Sequence, residues 1–104
     1  MTLPVVSKHA KMATSAVEAL IADLKKSPAG WRCKDMCRAL ERLQFAVRPV
    51  GAGHKVVSHA GLAGFTGTNF DCGHGKDPLV KPAYIRKLAG VLEKWQDKLE
   101  AING

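Results

Sequence analysis

Residues 45–59 read FAVRPVGAGHKVVSH. Phe45 to Val50 reads as a strand, and His54 to His59 reads as its partner. Gly51-Ala52-Gly53 between them is of hairpin length. Pro49 has no amide hydrogen to donate, which places the first strand at a sheet edge or ends it there. Side chains alternate along a strand. His54, Val56 and Ser58 therefore share one face, and Lys55, Val57 and His59 share the other. At most one of the two histidines can face a helical layer; the other faces the open side.

The segments on either side are helical. Upstream, Cys33, Met36, Cys37, Leu40 and Leu43 form one stripe of a helix over 32–44, with Arg38, Glu41 and Arg42 outside it. Further upstream, Ala13, Val17, Leu20, Ile21 and Leu24 follow helical spacing across 8–26. They define an N-terminal helix over 7–27 that Ser7 can cap and Ser27-Pro28-Ala29-Gly30 stops. Downstream, AGLAGFTG (60–67) reads as a loop, Thr68 to Cys72 as a short third strand, and 73–82 as a second loop. Ile85, Leu88, Leu92, Trp95, Leu99 and Ile102 then predict one long helix with a continuous apolar stripe. Three antiparallel strands with helices on one face make a two-layer α+β domain, with the opposite sheet face open.

The 104 residues, 46% of them hydrophobic, suffice for one domain with one core over 1–104. No apolar run approaches the roughly 18 residues of a membrane span, and the N-terminus does not read as a signal peptide. Three cysteines, Cys33, Cys37 and Cys72, are an odd and small number. Without an export signal they point to a reducing cytoplasm and not to a disulfide framework. The net charge is +7, which favours a polyanionic partner. The excess lies in residues 31–87, with ten Lys/Arg against four acids, and not in a tail.

Two histidines are placed where chemistry is possible. His54 follows a glycine turn whose bare amides, at Gly51 and Gly53, can approach a phosphate closely. Histidine is also the side chain best matched to proton transfer near neutral pH. His74 lies between two glycines in FDCGHGKDP (70–78), close to Lys76. Each has a plainer reading: taken alone, a hairpin or turn histidine is more often idle than catalytic. Cys72-x-His74 together with Cys33 and Cys37 offers zinc-type ligands in principle. Structural zinc sites use tighter loop spacing, however, and the cysteines of the helix lie on its apolar stripe, so no metal is assigned. The series Arg32, Lys34, Arg38, Arg42 and the series Lys76, Lys81, Arg86, Lys87 can each line a phosphate track, or simply be solvated helix faces. Trp31 and Trp95 read as packing anchors.

The succession of these segments resembles the HicA family of toxin–antitoxin toxins. The matching features are a helix beginning near Ser7-Lys8-His9, a helix ending in LERLQF, the glycine turn running into a histidine in GAGHKVV, the segment TNFDCGHGKD, and VKPAYIRKLAGVLEKW. They cover roughly residues 7–97. The resemblance implies a double-stranded-RNA-binding-domain-like α-β-β-β-α core over 31–100 with an additional N-terminal helix. It implies a metal-independent endoribonuclease of the cytoplasm that cleaves mRNA, inhibits translation and growth, needs no cofactor, and is masked by a HicB-like antitoxin. The family's catalytic histidine falls on His54, with Gly53 where relatives carry serine and Lys55 where many carry a second histidine. A recurring histidine near the third strand falls on His74. In this reading His54 removes the 2′-hydroxyl proton and His74 protonates the leaving oxygen. Lys55, Lys76 and Lys81 offset phosphate charge, and Gly51 and Gly53 hold phosphate oxygens. Two other classes stay open: a module of the same fold that binds RNA without cutting it, and an interaction protein that docks a partner through its N-terminal helix.

Overall fold

The computed structural model describes residues 15–103. Its elements are α1 (Ala16–Lys26), α2 (Cys33–Arg42), β1 (Ala46–Gly51), β2 (His54–Ser58), β3 (Thr68–Asp71), α3 (Pro82–Lys94) and α4 (Gln96–Asn103). The strands form one antiparallel sheet in the order β1-β2-β3. The domain is therefore mixed α+β, with β1 at an edge as Pro49 requires. The register shifts between Pro49 and Gly51, so the strand ends in an irregularity beside the residue that cannot donate.

Among the described residues the first helix starts at Ala16. Ser15 is extended (φ −71°, ψ 158°), and its Oγ accepts from the Glu18 amide at 3.0 Å, so Ser15 caps α1. Ser7 and residues 8–14 lie outside the described residues. Helix α2 closes at Leu43 and is followed by Gln44 at φ 71°. The Gln44 amide donates to the Glu41 carbonyl and the Phe45 amide to the Leu40 carbonyl. This pair of bonds is the Schellman arrangement that turns a chain out of a helix, and it sends Phe45 straight into β1.

The C-terminal helix is not continuous. It breaks at Trp95 (φ −104°, ψ 11°) into α3 and α4. The Trp95 ring packs edge-on against Phe65 at 5.5 Å between centroids. Beyond the break Leu99 is fully buried, and the Ser15 hydroxyl donates to Glu100 Oε2 at 2.7 Å. An apolar spacing that persists through a break cannot reveal it.

The core fills the space between the helices and one sheet face. Val57 and Phe70 come from the sheet, Leu24 from α1, Met36 and Leu40 from α2, and Ile85, Leu88 and Leu92 from α3. His59 is the buried histidine. Its Nδ1 accepts from the Gly61 amide at 3.0 Å, so Nε2 carries the proton and donates to the Leu43 carbonyl at 2.9 Å. His54, five positions earlier and so of opposite parity, is on the open face.

The cysteine expectation is corrected. Cys33 and Cys72 form a disulfide, with 5.5 Å between their Cα atoms. Cys37 remains free, and partial burial pushes its thiol pKa up. The reason is topological: Arg32 bridges to Leu79 and Cys72 to Val80, so the start of α2 lies beside the end of β3. A pair separated by 39 positions gives no local sign of this. Disulfides persist in oxidising surroundings and are rare in the cytosol, which counts against the free-thiol reading. No described helix is long and apolar enough to cross a membrane.

The hairpin turn imposes a firm requirement. Ala52 and Gly53 have φ 40° and 87°, the signs of a type I′ turn, which suits the twist of paired strands. A Cβ on Gly53 would lie 2.4 Å from the Cys72 carbonyl oxygen. Gly53→Ala is expected to destabilise the fold by about 2 kcal/mol or more. Gly90→Ala on α3, where a Cβ meets nothing within 4 Å, is expected to stabilise it by about 0.5–1 kcal/mol. Urea denaturation of both variants checks the contrast.

Candidate functional site

Pairing across the open face assembles a site at the hairpin end of the sheet. His54 opens β2 and stands in register with Asp71, the last residue of β3. The His54 imidazole bonds through Nδ1 to Asp71 Oδ1. The other carboxylate oxygen accepts from the Tyr84 hydroxyl at 2.9 Å. Tyr84 comes from the first turn of α3, which Lys81 precedes as N-cap and Pro82 opens. The result is a chain, Tyr84 to Asp71 to His54, that joins α3, β3 and β2. It ends on a histidine whose side chain is 59% exposed.

The charge states follow from the bonding. The Tyr84 hydrogen bond holds the Asp71 carboxyl below its ordinary pKa, and the His54 hydrogen bond and charge and the Lys81 charge act in the same direction. An ionised Asp71 needs a donor at His54 Nδ1, so the ring carries its proton there. Nε2 is left to act on whatever enters. The same bond to Asp71 raises the Tyr84 pKa. Tyr84 is the chain's single tyrosine, so ultraviolet titration reads it without interference. Ionisation is expected above the ordinary value of about 10, and Asp71→Asn is expected to return it toward that value. The sign is that of a raised pKa: the contribution is present below the ordinary tyrosine pKa and is lost as pH rises through the folded-state value.

A cleft of about 360 Å³ lies over this chain. Ala52, His54, Asp71, Cys72, Gly73, His74, Lys81 and Tyr84 line it. His54, His74 and Lys81 are thus brought together although 27 positions separate the first from the last. Other candidates are placed elsewhere. Lys55 is on the opposite sheet face, in register with Pro49 and Phe70. Lys76 is exposed in the loop after Cys72 but does not line the cleft. Gly51 pairs with His54 at the edge of the sheet. Gly53 offers its carbonyl to the Cys72 amide at 2.8 Å, so it acts as a spacer that lets β2 approach the end of β3. Arg38 and Arg42 line a separate groove between α1 and α2, and Arg32 is paired with Asp77 at 3.3 Å. Cys33 and Cys72 are committed to each other. No cluster of three or more potential metal ligands occurs among the described residues.

Asp71 and Tyr84 are the residues that sequence reasoning missed. Both stand inside segments quoted above, FDCGHGKDP and VKPAYIRKL. The strand register that aligns Asp71 with His54 has no signature in either strand alone.

No protein-family model matches the chain, and neither a curated protein nor a solved structure does.

Proposed function

We propose that this chain is a small endoribonuclease, a HicA-like toxin, that cuts mRNA by histidine acid–base chemistry and thereby halts translation and growth. The observation that carries the reading is the Tyr84–Asp71–His54 chain opening into a cleft that also holds His74 and Lys81. The order α2-β1-β2-β3-α3 agrees with a double-stranded-RNA-binding-domain-like core, preceded here by α1 and followed by α4.

The reaction uses groups already described. His54 Nε2 takes the proton of a ribose 2′-hydroxyl. The oxyanion attacks the adjacent phosphorus, and the bond to the next nucleotide's 5′-oxygen breaks. The products are a 2′,3′-cyclic phosphate and a free 5′-hydroxyl. Asp71 fixes the ring tautomer and stabilises the imidazolium that forms. Lys81 offsets the charge gathering on the phosphorane, where fixed charge helps most. His74 protonates the departing oxygen. Acid–base groups of this kind contribute about 10²–10⁴-fold, so holding the 2′-oxygen in line with the scissile bond supplies much of the remainder.

The reading has two consequences. A HicB-like antitoxin that masks the cleft carries an acidic surface against Lys81 and the basic loop residue Lys76. A toxin acting on mRNA also works where thiols are kept reduced, so its site must survive opening of Cys33–Cys72. Backbone bonds provide for that. The Cys72 amide is held by Gly53, the Gly73 amide by Leu79 and the Val80 amide by Trp31.

The test is incubation of purified protein with an RNA oligonucleotide and with its all-deoxy counterpart, in EDTA. Cutting of the RNA alone is expected. Salt-dependent RNA binding without cleavage would replace this reading with the non-catalytic module.

A further inference from the structure

We propose that the open sheet face carries a second nucleotide subsite, formed by Arg48, Val56 and Asn69, which holds the segment of single-stranded RNA flanking the one in the His54 cleft. The proposal rests on the ribonuclease reading for the identity of its ligand, and on the sheet for its geometry.

The three residues form one row. Arg48 pairs with Val56, and Val56 pairs with Asn69. Val56 and Asn69 each stand two positions along their strands from His54 and Asp71, on the same face, and Arg48 stands three from Gly51 because the register shifts after Pro49. Two residues of strand advance about 7 Å, and two strand spacings separate Arg48 from Asn69 by about 10 Å. A chain that leaves His54 along the face therefore meets this row next.

The chemistry of the row suits a nucleotide. Arg48 is exposed, has no ion pair among the described residues, and presents a planar fork of donors that matches phosphate. Val56 is half-buried and gives an aliphatic surface between the two polar ends. Asn69 is oriented from behind. Lys87 Nζ donates to its Oδ1 at 3.0 Å and to its backbone carbonyl at 3.1 Å. With Oδ1 engaged, the amide NH₂ is the end of Asn69 left to a ligand, and it donates. Lys87 adds a positive charge at the same edge. The row thus offers donors and positive charge to an anionic, acceptor-rich polymer.

The occupant is a single strand. The 2′-oxygen attacks in line with the departing oxygen, a geometry that a stacked A-form duplex does not allow. No aromatic side chain belongs to the row, so bases are not stacked there and readout is dominated by phosphate.

Binding is measured in the His54→Ala protein, which retains the row and leaves the oligonucleotide uncut. Fluorescence anisotropy of a labelled single-stranded RNA is recorded across a salt series for this protein and for versions that add Arg48→Gln, Asn69→Ala or Arg38→Gln. Each phosphate contact on a single strand contributes about 0.7 to the slope of log K against log salt. Arg48→Gln is expected to lower the slope by about that amount and to weaken binding several-fold. Asn69→Ala is expected to weaken binding with little change of slope. Arg38→Gln, which removes the same charge from the groove between α1 and α2, should change neither. Equal slopes and affinities for Arg48→Gln and its parent would overturn the subsite, as would an equal effect of Arg38→Gln. A parent with no RNA affinity would overturn both proposals. Arg48-dependent binding by a wild-type protein that never cleaves would keep the subsite and remove the chemistry.

Discussion

His54→Ala is expected to lower kcat for RNA cleavage by at least about 10²-fold and to leave KM nearly unchanged, since the group lost would act on a proton in transit. The effect is large because no neighbour can replace it. Asp71 is already engaged by His54 and Tyr84, and His74 is assigned to the leaving group. Asp71→Asn is expected to produce a smaller loss, again in kcat, because an amide no longer compels the ring proton onto Nδ1. Tyr84→Phe removes one donor to Asp71 and keeps the ring in place, so its loss is expected to be the smallest of the three. Steady-state kinetics on a short RNA order these variants. Equal activity of His54→Ala and wild type would remove His54 from the mechanism.

Opening the Cys33–Cys72 bond is expected to produce the largest change in stability. The linked residues are 39 positions apart, and releasing a closed loop of that size costs about 4 kcal/mol on the chain-entropy account. For a domain of this length each kcal/mol moves Tm by about 4–8 °C, so a thiol reductant or Cys33→Ser is expected to lower Tm by roughly 15–30 °C. Below the new Tm cleavage should persist, because the backbone bonds around Cys72 and Val80 hold the cleft independently of the sulfurs. Calorimetry with and without reductant, alongside activity at 25 °C, separates the two effects. An unchanged Tm would mean that the thiols are not paired in the folded protein.

What could be read from the sequence was what strand and helix periods encode. Alternation along HKVVSH put His54 and His59 on opposite faces, and Pro49 put β1 at the edge. The same alternation already set Lys55 apart from His54. Assigning it to the phosphate followed adjacency in sequence where the side-chain direction says otherwise. The Tyr84–Asp71–His54 chain was hidden because it needs the β2–β3 register, which a nine-residue connection leaves free, and the docking of α3 against the end of β3. The break at Trp95 was hidden because the apolar spacing continues through it. The disulfide was hidden because only the paired bridges around Arg32 and Cys72 bring its halves together.

The central claim is that His54 drives attack by a ribose 2′-hydroxyl. Mass spectrometry of the RNA fragments left by the purified wild-type protein tests it most directly. The account predicts a 2′,3′-cyclic phosphate on one fragment and a 5′-hydroxyl on the other, with neither formed by His54→Ala. Fragments ending in a 3′-hydroxyl and a 5′-phosphate would mean that water attacked instead of the ribose, and would contradict it.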